Sequence, residues 1–339
     1  MHRADSTRRH FLIRASAWSA ASLLGIHRQA SAEPGPETNR VRLVLAPSMC
    51  LAPQYLAEEL LRLEGFSAVE YLPIDARPDL PTIPALLSAG LADFSMDGAP
   101  NVLPFLDAGK PILALAGIHA GCYELFVNDR VKSIRDLKGK KVAASQYEDE
   151  RIFISSTLAY VGMDPRTDVR WVTTESFQES MQLFIEGRVD AFLAFPPQPQ
   201  EMRAKKLGRV ILNTAQDRPW SQYFCCMLNG NRDFVEQHPV ATKRVVRAYL
   251  KATDICAREP ERAARFMVAK GYVSDYAYAL GLVKELPYDR WREATPEDTL
   301  RFHALRLHEV GMLKSTPQKL IAQGTEWRFL NELKKELKA

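Results

Sequence analysis

The chain has 339 residues, enough for two domains of ordinary size, and its 46% hydrophobic and 25% charged content excludes a disordered or membrane-embedded class. Its formal charge of +4 is misleading. Within residues 1–32, Arg3, Arg8, Arg9, Arg14 and Arg28 stand against the single acid Asp5, and beyond them bases and acids balance. No nucleic-acid surface is therefore expected.

The first 32 residues read as an export signal. Thr7-Arg8-Arg9-His10-Phe11-Leu12 has the twin-arginine pattern, and Ala30-Ser31-Ala32 offers the small-x-small site that a signal peptidase needs. The apolar run between them, Ala15 to Ile26, carries Ser16, Ser19, Ser22 and Gly25 and is too short to span a bilayer. An uncleaved membrane anchor is the alternative. With no Cys after the cleavage site, lipid anchoring is disfavoured, and a mature chain starting near Glu33 in the periplasm is expected. Of the cysteines, Cys50, Cys122, Cys225, Cys226 and Cys256, an odd one must stay unpaired within the chain. Cys225 and Cys226 are strand neighbours that point to opposite faces and do not easily share a metal. Buried structural thiols are expected, with no metal site and no cofactor.

After a polar leader at 33–39, a strand is predicted over Val41–Ala46. A helix follows from about Pro53, with Leu56, Leu60 and Leu63 on one face and Gly65 as its stop. Further strands are predicted at Phe66–Leu72, Pro111–Ile118, Gly121–Asn128, Lys141–Ser145, Val169–Val172, Val210–Leu212 and Ser221–Leu228. Helices lie between them, capped by Thr82 and Ser176 and running over about Glu150–Tyr160 and Gln200–Lys206. From Phe234 the chain turns helical, punctuated by Pro260, Gly271, Pro287 and Pro296, with a last helix starting at Thr316-Pro317. Strand–helix alternation argues for α/β architecture with mainly parallel sheets.

One unit occurs twice. Residues 88–100 (SAGLADFSMDGAP) and 185–197 (IEGRVDAFLAFPP) each pass from a helix-stopping glycine, Gly90 or Gly187, to Asp93 or Asp190, then to a short apolar strand and a Pro-closed loop. Two α/β lobes follow from this repeat. Lobe 1 is predicted to be discontinuous, 40–120 plus 229–339, with lobe 2 at 121–228 inserted through two hinge crossings.

The two units, together with Ser133-Ile134-Arg135-Asp136-Leu137-Lys138-Gly139-Lys140-Lys141-Val142-Ala143 and Gly187-Arg188-Val189-Asp190-Ala191-Phe192, resemble one family throughout the mature chain. It is the periplasmic solute-binding proteins for nitrate, sulfonates, taurine and thiamine pyrimidines. The resemblance implies the type II periplasmic-binding-protein fold. It further implies a monomer that closes on a small solute, and permease and ATPase subunits of an ABC importer as partners. It extends to thiamine-pyrimidine synthases of the same fold, which carry a Lys for pyridoxal phosphate, a reacting His and a cysteine run for iron. Residues 95–101 of this chain (SMDGAPN) offer neither Lys nor His, and Cys225-Cys226 is a pair rather than a run, so catalysis is not expected. A binding module serving a separate sensor is a further alternative.

Ligands of open α/β sheets lie beyond the carboxyl ends of the strands. That rule selects Ser48 and Cys50, Asp97 and Gly98, His119, Tyr147 and Glu148, and Phe195 and Pro196 as ligand-binding candidates. Each has a plainer reading: His119 as a satisfied turn residue, Cys50 as packing, Glu148 to Glu150 as first-turn acids and Phe195 as core. Acids rather than bases in the second-lobe loop predict an uncharged or cationic, nitrogen-bearing, aromatic ligand. Tyr147 and Phe195 would be its stacking faces, and an aminopyrimidine fits better than an alkanesulfonate.

Overall fold

The computed structural model describes residues 33–145 and 150–337. The described residues from 36 to 337 form one compact unit. The twin-arginine motif and cleavage site lie outside the described residues. Among the described residues, no helix is long and apolar enough to cross a membrane.

The described strands are β1 (Arg40–Leu45), β2 (Ala68–Pro73), β3 (Phe94–Gly98), β4 (Ile112–Ala120), β5 (Glu124–Val127), β6 (Lys141–Ser145), β7 (Arg170–Thr174), β8 (Ala191–Ala194), β9 (Arg209–Asn213) and β10 (Phe224–Asn231). They form two five-stranded sheets, ordered β2-β1-β3-β10-β4 and β7-β6-β8-β5-β9. The sheets have the same plan. In the first, β1 runs parallel to β2 and β3 while β10 is antiparallel to β3 and β4. In the second, β6 runs parallel to β7 and β8 while β5 is antiparallel to β8 and β9. Both sheets are thus mixed, with a parallel trio and an antiparallel pair.

The repeated unit does the same structural work in each sheet. Gly90 and Gly187 end their helices at φ +67° and +72°, in the left-handed region that a Cβ would disfavour. The Asp that follows ties the start of its strand to the neighbouring parallel strand. Asp93 accepts from the Arg42 backbone N at 2.7 Å and from its guanidinium at 2.5 Å. Asp190 accepts from Lys141 N at 3.0 Å, Asn128 Nδ2 at 2.8 Å and Arg130 at 2.5 Å. Both carboxylates therefore sit at the amino ends of their strands.

The first helix, Ala52–Leu63, buries a different face from the one its leucines predict. Tyr55, Leu56, Ala57 and Leu61 are inside, whereas Leu63 is 84% exposed. The reason is polar. Buried Gln54 donates to Val44 O at 2.7 Å and accepts from Met96 N at 2.9 Å, bridging β1 and β3 where they do not pair directly. That anchor fixes the helix rotation, which apolar spacing alone cannot register.

The chain leaves the first sheet after β4, crosses at Gly121–Tyr123 into β5, and returns after β9 into β10. The return strand runs three residues further than its predicted end, to Asn231, and pairs within the first sheet. The lobe boundary expected at 228/229 thus falls inside it. Beyond β10 lies the helical region, whose long helix Pro239–Arg258 packs along Ala52–Leu63. Helix Pro296–Glu309 reaches the second sheet's helix Glu150–Tyr160, with His303 Nδ1 2.9 Å from Ser156 Oγ.

The leader is tied down by Glu37, whose carboxylate accepts from Val240 N at 2.9 Å and Ala241 N at 2.8 Å. His238, the residue at the helix cap position, makes no such bond. Burial raises the Glu37 pKa, but the two backbone N–H groups outweigh it and hold the carboxyl below its ordinary value. Glu37→Ala is expected to lower stability by about 1 kcal/mol, the usual cost of a lost helix cap. Urea denaturation of the full chain measures it.

Candidate functional site

A cavity of about 700 Å³ opens between the carboxyl ends of the strands of the two sheets. The first sheet's side contributes Asp97 from the end of β3 and Asn101 after it, and Thr82 with Ile83 from the start of a helix; the second sheet's side contributes Ser145 from the end of β6, Arg151, and Glu175 after β7. Ile152 and Phe105 add apolar wall. Such a volume suits a small organic solute. Local structure sets these positions. Thr82 Oγ accepts from Ala85 N at 3.3 Å as a helix cap, which brings that helix start to the rim. Asp97 is nearly buried, and its Oδ1 accepts from Gly98 N at 2.8 Å and Asn101 Nδ2 at 3.0 Å.

Charges of both signs line the cavity. Arg77 is committed to Asp79, with contacts of 2.9 and 2.6 Å. The Arg151 guanidinium lies over the Trp171 ring, 5.1 Å from its centroid, a cation–π contact that leaves its edge available. Among the described residues, Asp97, Asp75 and Glu175 are the acids that line the cavity.

The sequence-selected residues divide into three groups. Asp97 lines the cavity, and its neighbour Gly98 donates its N–H to the Asp97 carboxylate. Ser48, Cys50 and His119 gather instead at the inner end of the first lobe. Ser48 Oγ caps a short turn by accepting from Cys50 N at 3.3 Å, and Cys50 and His119 are fully buried. His119 Nε2 lies 2.9 Å from Cys50 O, and Nδ1 lies 3.1 Å from Ala120 O. Burial pushes the His119 pKa down, but the neighbouring Cys226 sulfur outweighs it and raises the pKa to about 9. Hydrogen bonds from Cys122 and Cys225, then His119 itself, hold the Cys226 thiol well below its ordinary value.

Phe195 and Pro196 form the third group, in the second lobe. The Phe195 ring stacks on Phe177 at 5.4 Å and contacts Tyr123 at 5.7 Å. Pro196 is buried and lines a separate depression. Tyr147 and Glu148 lie outside the described residues. Glu150, which shares their acidic run, turns inward: its Oε2 accepts from Ser145 N at 2.6 Å and Ser180 Oγ at 3.3 Å.

Arg151, Thr82, Asn101 and Glu175 were not selected by sequence reasoning. Arg151 is the next residue after the acidic run, and its signal was present but read as helix. Thr82 was recognised only as a cap. Asn101 and Glu175 carry no local pattern and become visible only when two sheets meet.

Two mixed sheets of the same plan, flanked by helices and enclosing a cleft at their strand ends, make up the periplasmic-binding-protein fold. Over residues 71–263, more than half of its length, the chain matches the family described as NMT1/THI5 like, and it belongs to that family. It is similar to the bicarbonate-binding protein CmpA of Synechococcus elongatus, with 25% identity over 146 residues, 42% of this chain and 32% of that one. The match therefore spans about a third of that relative's length. In structure it is similar to the periplasmic nitrate-binding protein NrtA from Synechocystis PCC 6803, with a TM-score of 0.70 and 16% identity over 90% of both chains. It is also similar to the alkanesulfonate-binding protein SsuA from Xanthomonas axonopodis pv. citri bound to MOPS, with a TM-score of 0.66 and 16% identity over 88% of this chain and 100% of that one.

Proposed function

We propose that the chain is the solute-binding component of an ABC importer, in which two lobes close on a small organic solute and present it to permease and ATPase subunits. The observation that carries this reading is the cavity between the strand ends of two like sheets, with polar groups supplied from both sides. A ligand that touches Asp97 and Arg151 together favours the closed arrangement by its differential affinity for it. Family membership and the named relatives, all binding proteins, support the same reading. Export through the twin-arginine pathway to the periplasm belongs to the proposal, resting on Arg8-Arg9 and Ala30-Ser31-Ala32.

The ligand proposed is nitrogen-bearing and pyrimidine-like. Asp97 would accept from an amino or ring N–H group, and the Arg151 edge would donate to a ring nitrogen or carbonyl oxygen. Phe105, Ile83 and Ile152 would cover the ring faces; Phe195, already stacked on Phe177, has less to offer. Native mass spectrometry of chain purified from the periplasm should show a co-purified small molecule. Calorimetry should then show an aminopyrimidine bound, with Asp97→Ala weakening it about 10- to 100-fold, as loss of a hydrogen bond to a charged group implies, while the melting temperature of the free protein holds. Tight alkanesulfonate binding with none for pyrimidines would overturn the ligand, and an Asp97→Ala protein that binds like wild type would overturn the site.

A further inference from the structure

Three donor atoms of unlike sequence origin meet where the chain passes between the sheets. His119 is the penultimate residue of β4, Cys122 lies on the first crossing, and Cys226 lies on β10 after the second. Cys122 Sγ is 4.0 Å from Cys226 Sγ and 3.9 Å from His119 Nδ1, and the three ligand atoms all lie within 4.8 Å of one another. All three residues are buried.

We propose that His119, Cys122 and Cys226 form a binding site for a thiophilic metal ion, Zn²⁺ or Cu⁺, that fastens the two hinge crossings together. Two of the separations, 3.9 and 4.0 Å, match a single ion: with metal–sulfur bonds of about 2.3 Å and metal–nitrogen bonds of about 2.0 Å, its ligand atoms stand roughly 3.5–4 Å apart. Two thiolates and an imidazole are the soft donor set that selects these ions over Mg²⁺ or Ca²⁺.

The imidazole supplies an independent argument. Both of its nitrogens face backbone carbonyl oxygens, at 2.9 and 3.1 Å. A neutral ring has one N–H, so one lone pair would be left against a carbonyl. Donation from Nε2 to Cys50 O orients the ring as metal-binding histidines are usually oriented. Nδ1 then carries the lone pair, 3.1 Å from Ala120 O and 3.9 Å from Cys122 Sγ, and a cation beside it would relieve that approach. A β-bulge helps to gather the thiols, because the register slips on either side of Cys226 and so relaxes the strict alternation of strand faces. Access exists as well: Cys122 lines an open depression of about 550 Å³ with Pro196 and Asn213.

The rivals are a proton on Nδ1 paired with a Cys226 thiolate, and a Cys122–Cys226 disulfide. The reduced, metal-free full chain is titrated anaerobically with Co²⁺ as the Zn²⁺ probe, and separately with Cu⁺ against a chromogenic chelator. One ion per chain is expected, with a thiolate-to-cobalt charge-transfer band for Co²⁺, and a rise in melting temperature. Cys226→Ser and Cys122→Ser should each weaken binding at least 100-fold, whereas Cys256→Ser should not. If the variants fail to fold, the wild-type titrations decide alone. Folded wild type that binds neither ion tighter than micromolar, Cys226→Ser that binds like wild type, or exported protein carrying a Cys122–Cys226 disulfide would overturn the proposal.

Discussion

Gly121→Ala is expected to lower the unfolding free energy by about 3 kcal/mol or more. Two costs combine. Gly121 has φ +68°, a left-handed conformation that costs a residue with a Cβ roughly 1–2 kcal/mol. The added Cβ would also stand 2.5 Å from Ala215 Cβ and 2.7 Å from Ala215 Cα. Ala215 belongs to the returning crossing, so the two crossings touch at this point with only hydrogen between them. Relief requires moving backbone, and overpacking of that kind adds about 1–3 kcal/mol. Gly139 is the control: its φ is +75° but nothing lies within 4 Å of an added Cβ, so Gly139→Ala should cost only the backbone share. Urea denaturation of the two variants separates the terms. Equal losses would mean that the crossings are not in contact as described.

Asp190→Ala is expected to cost about 3 kcal/mol, and Asp93→Ala a comparable amount. Removing either carboxylate leaves a backbone N–H and a charged or amide donor without its acceptor, at roughly 1–3 kcal/mol for each buried group. The Arg130 share is small because its side chain is 67% exposed. Asp190 also predicts a pH effect. Burial raises its pKa, but Asn128, the Lys141 N–H and Arg130 prevail and hold it below the ordinary value. A carboxyl with a lowered folded-state pKa stabilises the fold above its unfolded value, about 3.9, and this stabilisation is lost as pH falls through the folded value. The stability of the wild type should therefore fall more steeply below pH ~4 than that of Asp190→Asn, in denaturation series at fixed ionic strength. Parallel curves would remove Asp190 from this role.

Much of the fold is written locally. The glycines after helices, the caps at Thr82, Ser176 and Thr316, and the Lys141–Ser145 and Glu150–Tyr160 elements are all where short-range rules place them. The doubled Gly-x-x-Asp unit announced two like sheets. Its acids proved to be strand-to-strand ties, because an Asp at a strand start reaches the N–H of a parallel neighbour that lies 51 residues from Asp93 and 49 from Asp190. Residue spacing within one unit carries no trace of that partner.

The candidate site was legible only in part. Asp97 follows from its place at a strand end, a property of one strand and its loop. Arg151, Asn101 and Glu175 join it because two sheets come together, and Phe195 is drawn away because Phe177 offers a nearer stacking partner. His119, Cys122 and Cys226 show the same limit more sharply, since 104 residues separate the two sulfurs that end up 4.0 Å apart. By itself, the sequence determined the elements, their caps, the repeat and the family resemblance, because hydrophobic period and backbone preference act over a few residues. Only the tertiary structure decided which polar groups share a cavity and which thiols share a hinge, because those distances are set by the packing of whole sheets and by two crossings that meet at Gly121.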